Sequence, residues 1–153
     1  MKKFLKQDIN NPKYLFHGSP KIIEYVEPRQ AHDSFGNKEN EDNAVFLTPS
    51  LIIASAYAFK DKIKENSTDL DWNFYIGQDQ NGKLVVNMDN VRLDDEQIGY
   101  IYVFPFDTKY KNNGNTIQYK CYEQIKPINI VEVKFKDYKK YYSITNEVRG
   151  KVR

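Results

Sequence analysis

The sequence predicts an α+β domain with a mixed or mostly antiparallel sheet and one main helix early in the chain. Two observations support this prediction. A segment in the first half repeats its apolar residues at helical spacing, whereas segments after residue 72 alternate polar and apolar residues with a period of two. The tally of predicted elements is one convincing helix and six or seven strands.

The first half of the chain contains the predicted helix and two predicted strands. Residues 14–17 (YLFH) form the first strand, closed by Gly-Ser-Pro, and residues 44–48 (AVFLT) form the second. Residues 29–43 between them are polar and charged, which is typical of a long surface loop. Thr48 as a hydroxyl cap and Pro49 in the first turn predict where the helix SLIIASAYAFKDKIKE begins.

The second half is predicted to be β-structure. Segments 72–76 and 83–88 flank a Gln-Asn-Gly turn, which indicates a β-hairpin. Segments 98–104, 116–123 and 128–135 are three further predicted strands. Without an internal repeat or a long linker, we expect residues 1–153 to form a single domain. Its core covers about residues 14–135, and residues 136–153 form a basic, aromatic and loosely ordered C-terminal extension.

Composition limits the classes of function. The chain has 153 residues, of which 40% are hydrophobic, enough for one core. The 23 lysines and arginines nearly balance the 21 acidic residues, so the net charge does not favour a nucleic-acid or anionic-membrane binder. The high content of Lys, Asn, Ile and Tyr is typical of an AT-rich bacterium or one of its phages.

The compartment is predicted from cysteine usage and hydropathy. Cys121 is the only cysteine, and the sequence has no Cys/His cluster with zinc spacing, so we expect no disulfide and no metal. The start, MKKFLKQDINNP, lacks the apolar stretch of a signal peptide, and the longest apolar run falls short of the roughly 20 residues of a membrane span. These features predict a soluble cytoplasmic protein with no membrane partner.

Three separated places on the chain could carry chemistry. His17 ends a strand, Gly18 permits close approach to the backbone, and Ser19 adds a hydroxyl, so the three form a short polar shelf. Tyr57 has small neighbours on its helix, which leaves room for a flat heterocycle to stack on the ring. Glu123 ends a late strand, where a carboxylate could bind a sugar hydroxyl and stabilise an oxocarbenium-like transition state. Each residue also has an ordinary structural interpretation, as a core or surface side chain.

The order of these segments resembles the ADP-ribosyltransferase superfamily, in its diphtheria-toxin-like or His-Tyr-Glu branch. A strand ending His-Gly-Ser precedes the strand–Thr-Pro–helix segment AVFLTPSLIIASAYAF, and a late strand with a glutamate, YEQIKPINIVEV, follows. The branch includes the poly-ADP-ribose polymerases, the RNA 2'-phosphotransferases and the rifampin ADP-ribosyltransferases. The likeness is closest to small bacterial and phage members, over residues 14–135. It implies an ADP-ribosyltransferase-like fold with a split β-sheet.

The resemblance implies a role for each matching residue. His17 would hydrogen-bond a ribose of NAD, and the backbone of Gly18 would hold the nicotinamide amide. Phe46 and Tyr57 would pack against nicotinamide. Glu123 would orient the nicotinamide ribose and support the departure of nicotinamide. The implied catalytic residues are Glu123 and His17, and the NAD-binding residues are His17, Gly18, Ser19, Arg29, Phe46, Thr48 and Tyr57, with the Arg29 guanidinium as a ligand for the pyrophosphate.

The chain departs from the family pattern at two positions. Phe46 stands where the branch has a tyrosine, so the stacking face is kept and the hydroxyl is lost. Cys121, two residues before Glu123, replaces the Gln or Glu that positions an arginine acceptor in the Arg-Ser-Glu branch. Modification of arginine is therefore not predicted.

The implied activity is transfer of ADP-ribose from NAD to an unidentified acceptor with release of nicotinamide. The acceptor could be a protein, a nucleic acid or a small molecule, and a toxin, a phage effector and a host-modifying enzyme all fit. NAD is the implied substrate, and no metal is required. Two alternatives stay open: an NAD glycohydrolase, and a non-catalytic module on the same fold that binds a nucleotide, a nucleic acid or a protein. An RNA 2'-phosphotransferase is disfavoured, because that activity usually needs an additional basic domain.

Overall fold

The computed structural model describes residues 2–30, 43–112, 114 and 117–146 of the chain. This part is α+β, and strands dominate it. Its elements in chain order are α1 Lys2–Leu5, β1 Tyr14–Ser19, β2 Arg29–Gln30, β3 Asn43–Leu47, α2 Leu51–Asn66, β4 Asn73–Gln78, β5 Leu84–Asp89, β6 Ile98–Pro105, β7 Tyr119–Cys121, β8 Asn129–Lys134, α3 Phe135–Tyr138, a 3-10 turn Lys139–Tyr141 and β9 Tyr142–Thr145.

The described strands form three sheets of three strands each, in the orders β1-β6-β8, β2-β3-β7 and β4-β5-β9. All pairs of neighbouring strands are antiparallel except β5 and β9, which run parallel. The prediction of a mixed, mostly antiparallel α+β domain is therefore confirmed at this level.

The sheet β1-β6-β8 separates two hydrophobic clusters, because side chains alternate across a strand. Ile101 and Val103 of β6 belong to the cluster that contains α2 and most of the sheet β4-β5-β9. Tyr102 and Phe104 point the other way, into the cluster formed with β3 and β7. The domain thus has α2 on one face of its central sheet and the small sheet β2-β3-β7 on the other.

Helix α2 begins two residues later than the sequence predicts. Its N-cap is Ser50, whose Oγ accepts a hydrogen bond from the Ile53 amide at 3.2 Å. The expected cap, Thr48, instead exchanges both backbone hydrogen bonds with Phe16, at 2.8 and 2.9 Å. The prediction of Thr48 as the cap is wrong because this residue is committed to a β-bridge, and only the residues beyond Pro49 can turn into the helix.

The predicted hairpin is confirmed. β4 and β5 pair in regular antiparallel register around a tight turn, in which the Asp79 carbonyl accepts from the Gly82 amide at 2.9 Å. The Asp79 carboxylate also accepts from the amides of Asn81 and Lys83. Gly82 has a φ of +78°, a conformation that glycine adopts without strain.

Two of the three late strands, β7 and β8, are shorter than predicted. Only Tyr119–Cys121 of the expected strand 116–123 is paired as β7, and Glu123 lies at a bend beyond it. Position 116 lies outside the described residues. Pairing resumes after the bend, where Ile125 forms an isolated bridge with Val26.

The C-terminal segment belongs to the fold as far as residue 145. Phe135, Tyr138 and Tyr142 are buried in the same cluster as α2. The Tyr142 hydroxyl lies 2.6 Å from the Ser55 hydroxyl, which itself donates to the Ile52 carbonyl. The expectation of a loosely ordered extension is wrong for this stretch, because its tyrosines fill the core beside β5. Residues 147–153 lie outside the described part of the chain.

Burial of the C-terminal tyrosines predicts alkaline sensitivity. Desolvation raises the pKa of Tyr138 to about 12 and raises the pKa of Tyr142 above its ordinary range. In the unfolded chain, both phenols lose their protons near pH 10, whereas the folded chain keeps these protons at that pH. The protonated phenols therefore contribute their full stabilisation below about pH 10. As the pH rises toward 12, the free energy of unfolding falls by up to about 1.4 kcal/mol per pH unit for each tyrosine.

We expect urea unfolding between about pH 9 and 11 to show this decline in the free energy of unfolding. Tyr142→Phe should flatten it, and Tyr75→Phe is the matched control, because Tyr75 is 42% exposed. An equal slope in the two variants would contradict the interpretation.

None of the helices in the part of the chain that the structure describes is long and apolar enough to cross a membrane.

Candidate functional site

The strands β1 and β3 separate beside His17. They pair at Phe16 and Thr48, and a regular register would next place Gly18 opposite Phe46. Instead, the Phe46 carbonyl lies 2.9 Å from Nδ1 of His17. The imidazole thus occupies the point where the central sheet and the small sheet part, which we call the fork.

The hydrogen bond at the fork fixes the tautomer of His17. A carbonyl oxygen can only accept, so Nδ1 must carry the proton. In the neutral ring, Nε2 then presents a lone pair and acts as an acceptor. A half-buried acceptor of this kind suits a donor such as a sugar hydroxyl.

Gly18 lies against the backbone of α2. A Cβ atom at this position would come within 2.6 Å of the Ala58 amide nitrogen and closer still to the Ala54 carbonyl. The absence of a side chain therefore serves the contact between β1 and α2. The sequence analysis explained Gly18 differently, by the close approach of a ligand to its backbone. In the structure, the space beside the Gly18 Cα is filled by α2.

Tyr57 projects from α2 on the β1 side of the central sheet. Gly18 of β1 faces Ala54, whereas Gly99 of the next strand faces Phe59 and Ala58. At 3.6 residues per turn, Tyr57 lies about 60° around the helix from Ala54, on the side away from Phe59. The tyrosine therefore leaves the helix on the side away from Phe59, where its ring contacts Phe74 of β4.

The Tyr57 ring is 43% exposed. Its centroid lies 5.5 Å from that of Phe74 on β4, and the Lys60 ammonium lies 5.3 Å from it. The exposed ring offers an aromatic surface on the α2 face of the central sheet, whereas the His17 ring lies on the other face, beside Tyr102.

Ser19 and the residues after it are held by a buried tyrosine. The Tyr102 hydroxyl accepts from the Ile23 amide at 2.6 Å and donates to the Lys21 carbonyl at 2.7 Å. Ser19 is buried and also hydrogen-bonds to Tyr102. Burial raises the pKa of the Tyr102 phenol, so the hydroxyl stays protonated and keeps its donor. The Tyr102 hydroxyl thus fixes Ser19 and the chain that leaves the fork.

Phe46 and Lys120 lie opposite each other on one face of the small sheet, where β3 pairs with β7. The Lys120 ammonium is 5.7 Å from the centre of the Phe46 ring. Lys120 is only 5% exposed, which is unusual for a lysine. A buried cation therefore stands beside the ring that the family resemblance assigns to nicotinamide.

Glu123 lies at the open end of the fork, separated from the other candidate residues. It lies at the bend after β7, two residues beyond Cys121, whose partner on β3 is Val45. The carboxylate is 65% exposed and bonds to the Lys109 ammonium at 2.9 Å, which raises the pKa of that lysine. Among the described residues its partner is Lys109, and it does not hydrogen-bond to His17, Phe46 or Tyr57.

Two further predicted residues lie near the fork. The backbone of Arg29 pairs with Ala44 in β2, and its side chain lies outside the described part. Thr48 is buried, and its Oγ1 accepts from the Ser50 amide at 3.2 Å. Thr48 therefore fixes the junction between β3 and α2, which is a structural task.

The structure thus brings His17 and Phe46 together at one edge of the central sheet, whereas Tyr57 lies on the α2 face of that sheet and Glu123 lies beyond β7 in an ion pair. Sequence reasoning missed Tyr102 and Lys120, whose signals are weak because tyrosine and lysine both occur in half-exposed strands. In the described ranges, no group of three or more His, Cys, Asp or Glu side chains could hold a metal ion. Comparisons with protein-family models, curated proteins and solved structures found no match to this chain.

Proposed function

We propose that this protein is an NAD-dependent ADP-ribosyltransferase with a split-sheet fold of the diphtheria-toxin-like type. The observation that carries the proposal is the hydrogen bond between His17 and the Phe46 carbonyl. It links the first two segments of the family pattern at a fork in the sheet.

Each residue then has a defined task. Nε2 of His17 accepts a hydrogen bond from a ribose hydroxyl, and the exposed Tyr57 ring stacks on nicotinamide. The C–N glycosidic bond breaks, its electron pair goes to the nicotinamide nitrogen, and positive charge develops at the anomeric carbon. The Glu123 carboxylate stabilises that charge, and a nucleophile of the acceptor attacks the same carbon.

The Glu123 carboxylate has to change partner for this chemistry. In the free protein it is paired with Lys109, and both side chains are largely exposed. Exposed ion pairs contribute little stability, so a ribose hydroxyl can replace the lysine at small cost.

Nicotinamide release from NAD tests the proposal. We expect slow release by the purified protein and faster release when cell extract supplies the acceptor. Mass spectrometry with isotopically labelled NAD should identify the modified molecule. Intact NAD in every mixture, together with no rise in melting temperature on adding NAD, would contradict the proposal.

The Phe46 ring favours one alternative, a module on the same fold that binds a nucleotide without catalysis. Phenylalanine supplies a stacking face but no hydroxyl. The same assays separate the two functions, because a binding module is stabilised by ADP-ribose or NAD without releasing nicotinamide.

A further inference from the structure

Helix α2 and strand β4 place a lysine beside two neighbouring aromatic rings. The Lys60 ammonium lies 5.3 Å from the centre of the Tyr57 ring and 5.1 Å from the centre of the Phe74 ring. The two rings are 5.5 Å apart and inclined at 57°. Lys60 thus sits against both members of a pair that we call the aromatic clamp, Tyr57 and Phe74.

The clamp has the properties of a cation-binding site. The face of an aromatic ring carries negative potential, and a cation within about 6 Å of its centre is attracted to it. Tyr57 is 43% exposed whereas Phe74 is 8% exposed, so the clamp has an open side and a buried side. A ligand can therefore approach from the Tyr57 side.

We propose that the aromatic clamp is a site for planar cationic heterocycles and that Lys60 is its internal ligand in the free protein. This inference rests on the proposed function, in which the heterocycle is the pyridinium ring of NAD. Lys60 leaves the Tyr57 ring when the pyridinium binds, because two cations on one ring face repel each other.

The charge change in the reaction gives Lys60 a second effect. Nicotinamide loses its positive charge when the glycosidic bond breaks, since the nitrogen keeps the electron pair. The neutral product has no cation–π attraction to the clamp, whereas the Lys60 ammonium does. Lys60 therefore competes more effectively with the product than with the substrate and favours product release.

Two small probes test the proposal without depending on turnover. 1-Methylnicotinamide is a permanent pyridinium cation, and nicotinamide is its neutral counterpart. Isothermal titration of each probe should be done with the unmodified protein and with Lys60→Met, Lys62→Met and Tyr57→Leu. Lys62 is the matched control, because it lies on the same helix but pairs with Glu65 at 3.1 Å.

We expect the unmodified protein to bind 1-methylnicotinamide more tightly than nicotinamide. Lys60→Met should bind the cationic probe about 2- to 10-fold more tightly, since an internal competitor worth one cation–π contact is gone. Lys62→Met should leave the affinity unchanged, and Tyr57→Leu should remove binding. Equal affinities in the Lys60 and Lys62 variants, or undetectable binding by Lys60→Met, would overturn the proposal.

Nicotinamide release from NAD, measured on the same samples, separates the two proposals. If Lys60→Met binds 1-methylnicotinamide more tightly but no sample releases nicotinamide from NAD, the clamp proposal is supported and the transferase proposal is contradicted. Turnover of NAD with identical probe affinities in the two lysine variants retains the transferase and rejects the clamp.

Discussion

Glu123→Gln is expected to lower the rate of nicotinamide release from NAD by about 100-fold or more, the usual loss when one preorganised charge-stabilising group is removed. Glutamine keeps the shape of the side chain but not the negative charge that, in the proposed reaction, stabilises the anomeric carbon. The fold should persist, because Glu123 is exposed and its contact with Lys109 is a surface ion pair. Initial rates of nicotinamide formation, followed by liquid chromatography, measure the effect.

Glu65→Gln is the matched control for this prediction. Glu65 is a glutamate of similar exposure, 61% against 65%, and it is likewise paired with a lysine. Its loss should leave the rate unchanged. If Glu123→Gln kept a rate close to that of the unmodified enzyme, the assignment of Glu123 as the catalytic residue would be wrong.

Gly18→Ala is expected to have the largest effect on stability, about 3 kcal/mol, which is the upper part of the range for overpacking a core. The added Cβ meets the backbone of α2 at Ala54 and Ala58, and backbone atoms cannot rotate away. Either β1 or α2 must shift, and the fork shifts with them. Urea unfolding followed by circular dichroism measures the loss.

Gly77→Ala provides the comparison for Gly18→Ala. Gly77 also lies in a strand, but the nearest atom to a Cβ there is 3.4 Å away on the flexible side chain of Asn87. Its free energy of unfolding should stay within about 1 kcal/mol of the original. A stability of Gly18→Ala equal to that of Gly77→Ala would show that α2 tolerates displacement from β1.

The elements set by local patterns were predictable from the sequence. The alternation of residues 72–89 and the Gln-Asn-Gly turn specify β4 and β5, and helical spacing specifies most of α2. The start of α2 was not predictable. Thr48 is a residue type that favours the N-cap, but its backbone pairs with Phe16, 32 positions away in the chain, so it cannot cap the helix. Contacts of this kind leave no local signal.

The C-terminal strand was missed for a related reason. Tyr138 and Tyr142 stand among lysines, a composition typical of a solvated tail, and only the packed structure shows them filling the core. Lys120 is the converse case. A lysine between two inward-facing residues of a strand is expected to be exposed. Lys120 is instead buried beside Phe46.

The candidate site was predictable as a set of residues but not as an arrangement. His17, Tyr57 and Glu123 stand out by residue type and by position at element ends. Three contacts define the arrangement: His17 with the Phe46 carbonyl, Lys60 with the Tyr57 ring, and Glu123 with Lys109. The partners Phe46, Lys60 and Lys109 belong to no sequence pattern that predicts these contacts.

The parallel pairing of β9 with β5 has a consequence for how the chain is made. The core around α2 lacks Tyr138 and Tyr142 until the last described residues have been synthesised, and the Ser55 hydroxyl has no tyrosine beside it until then. A nascent chain therefore completes this core only after residue 142 has left the ribosome. Proteins shortened before residue 142 should accumulate as poorly folded, protease-sensitive species.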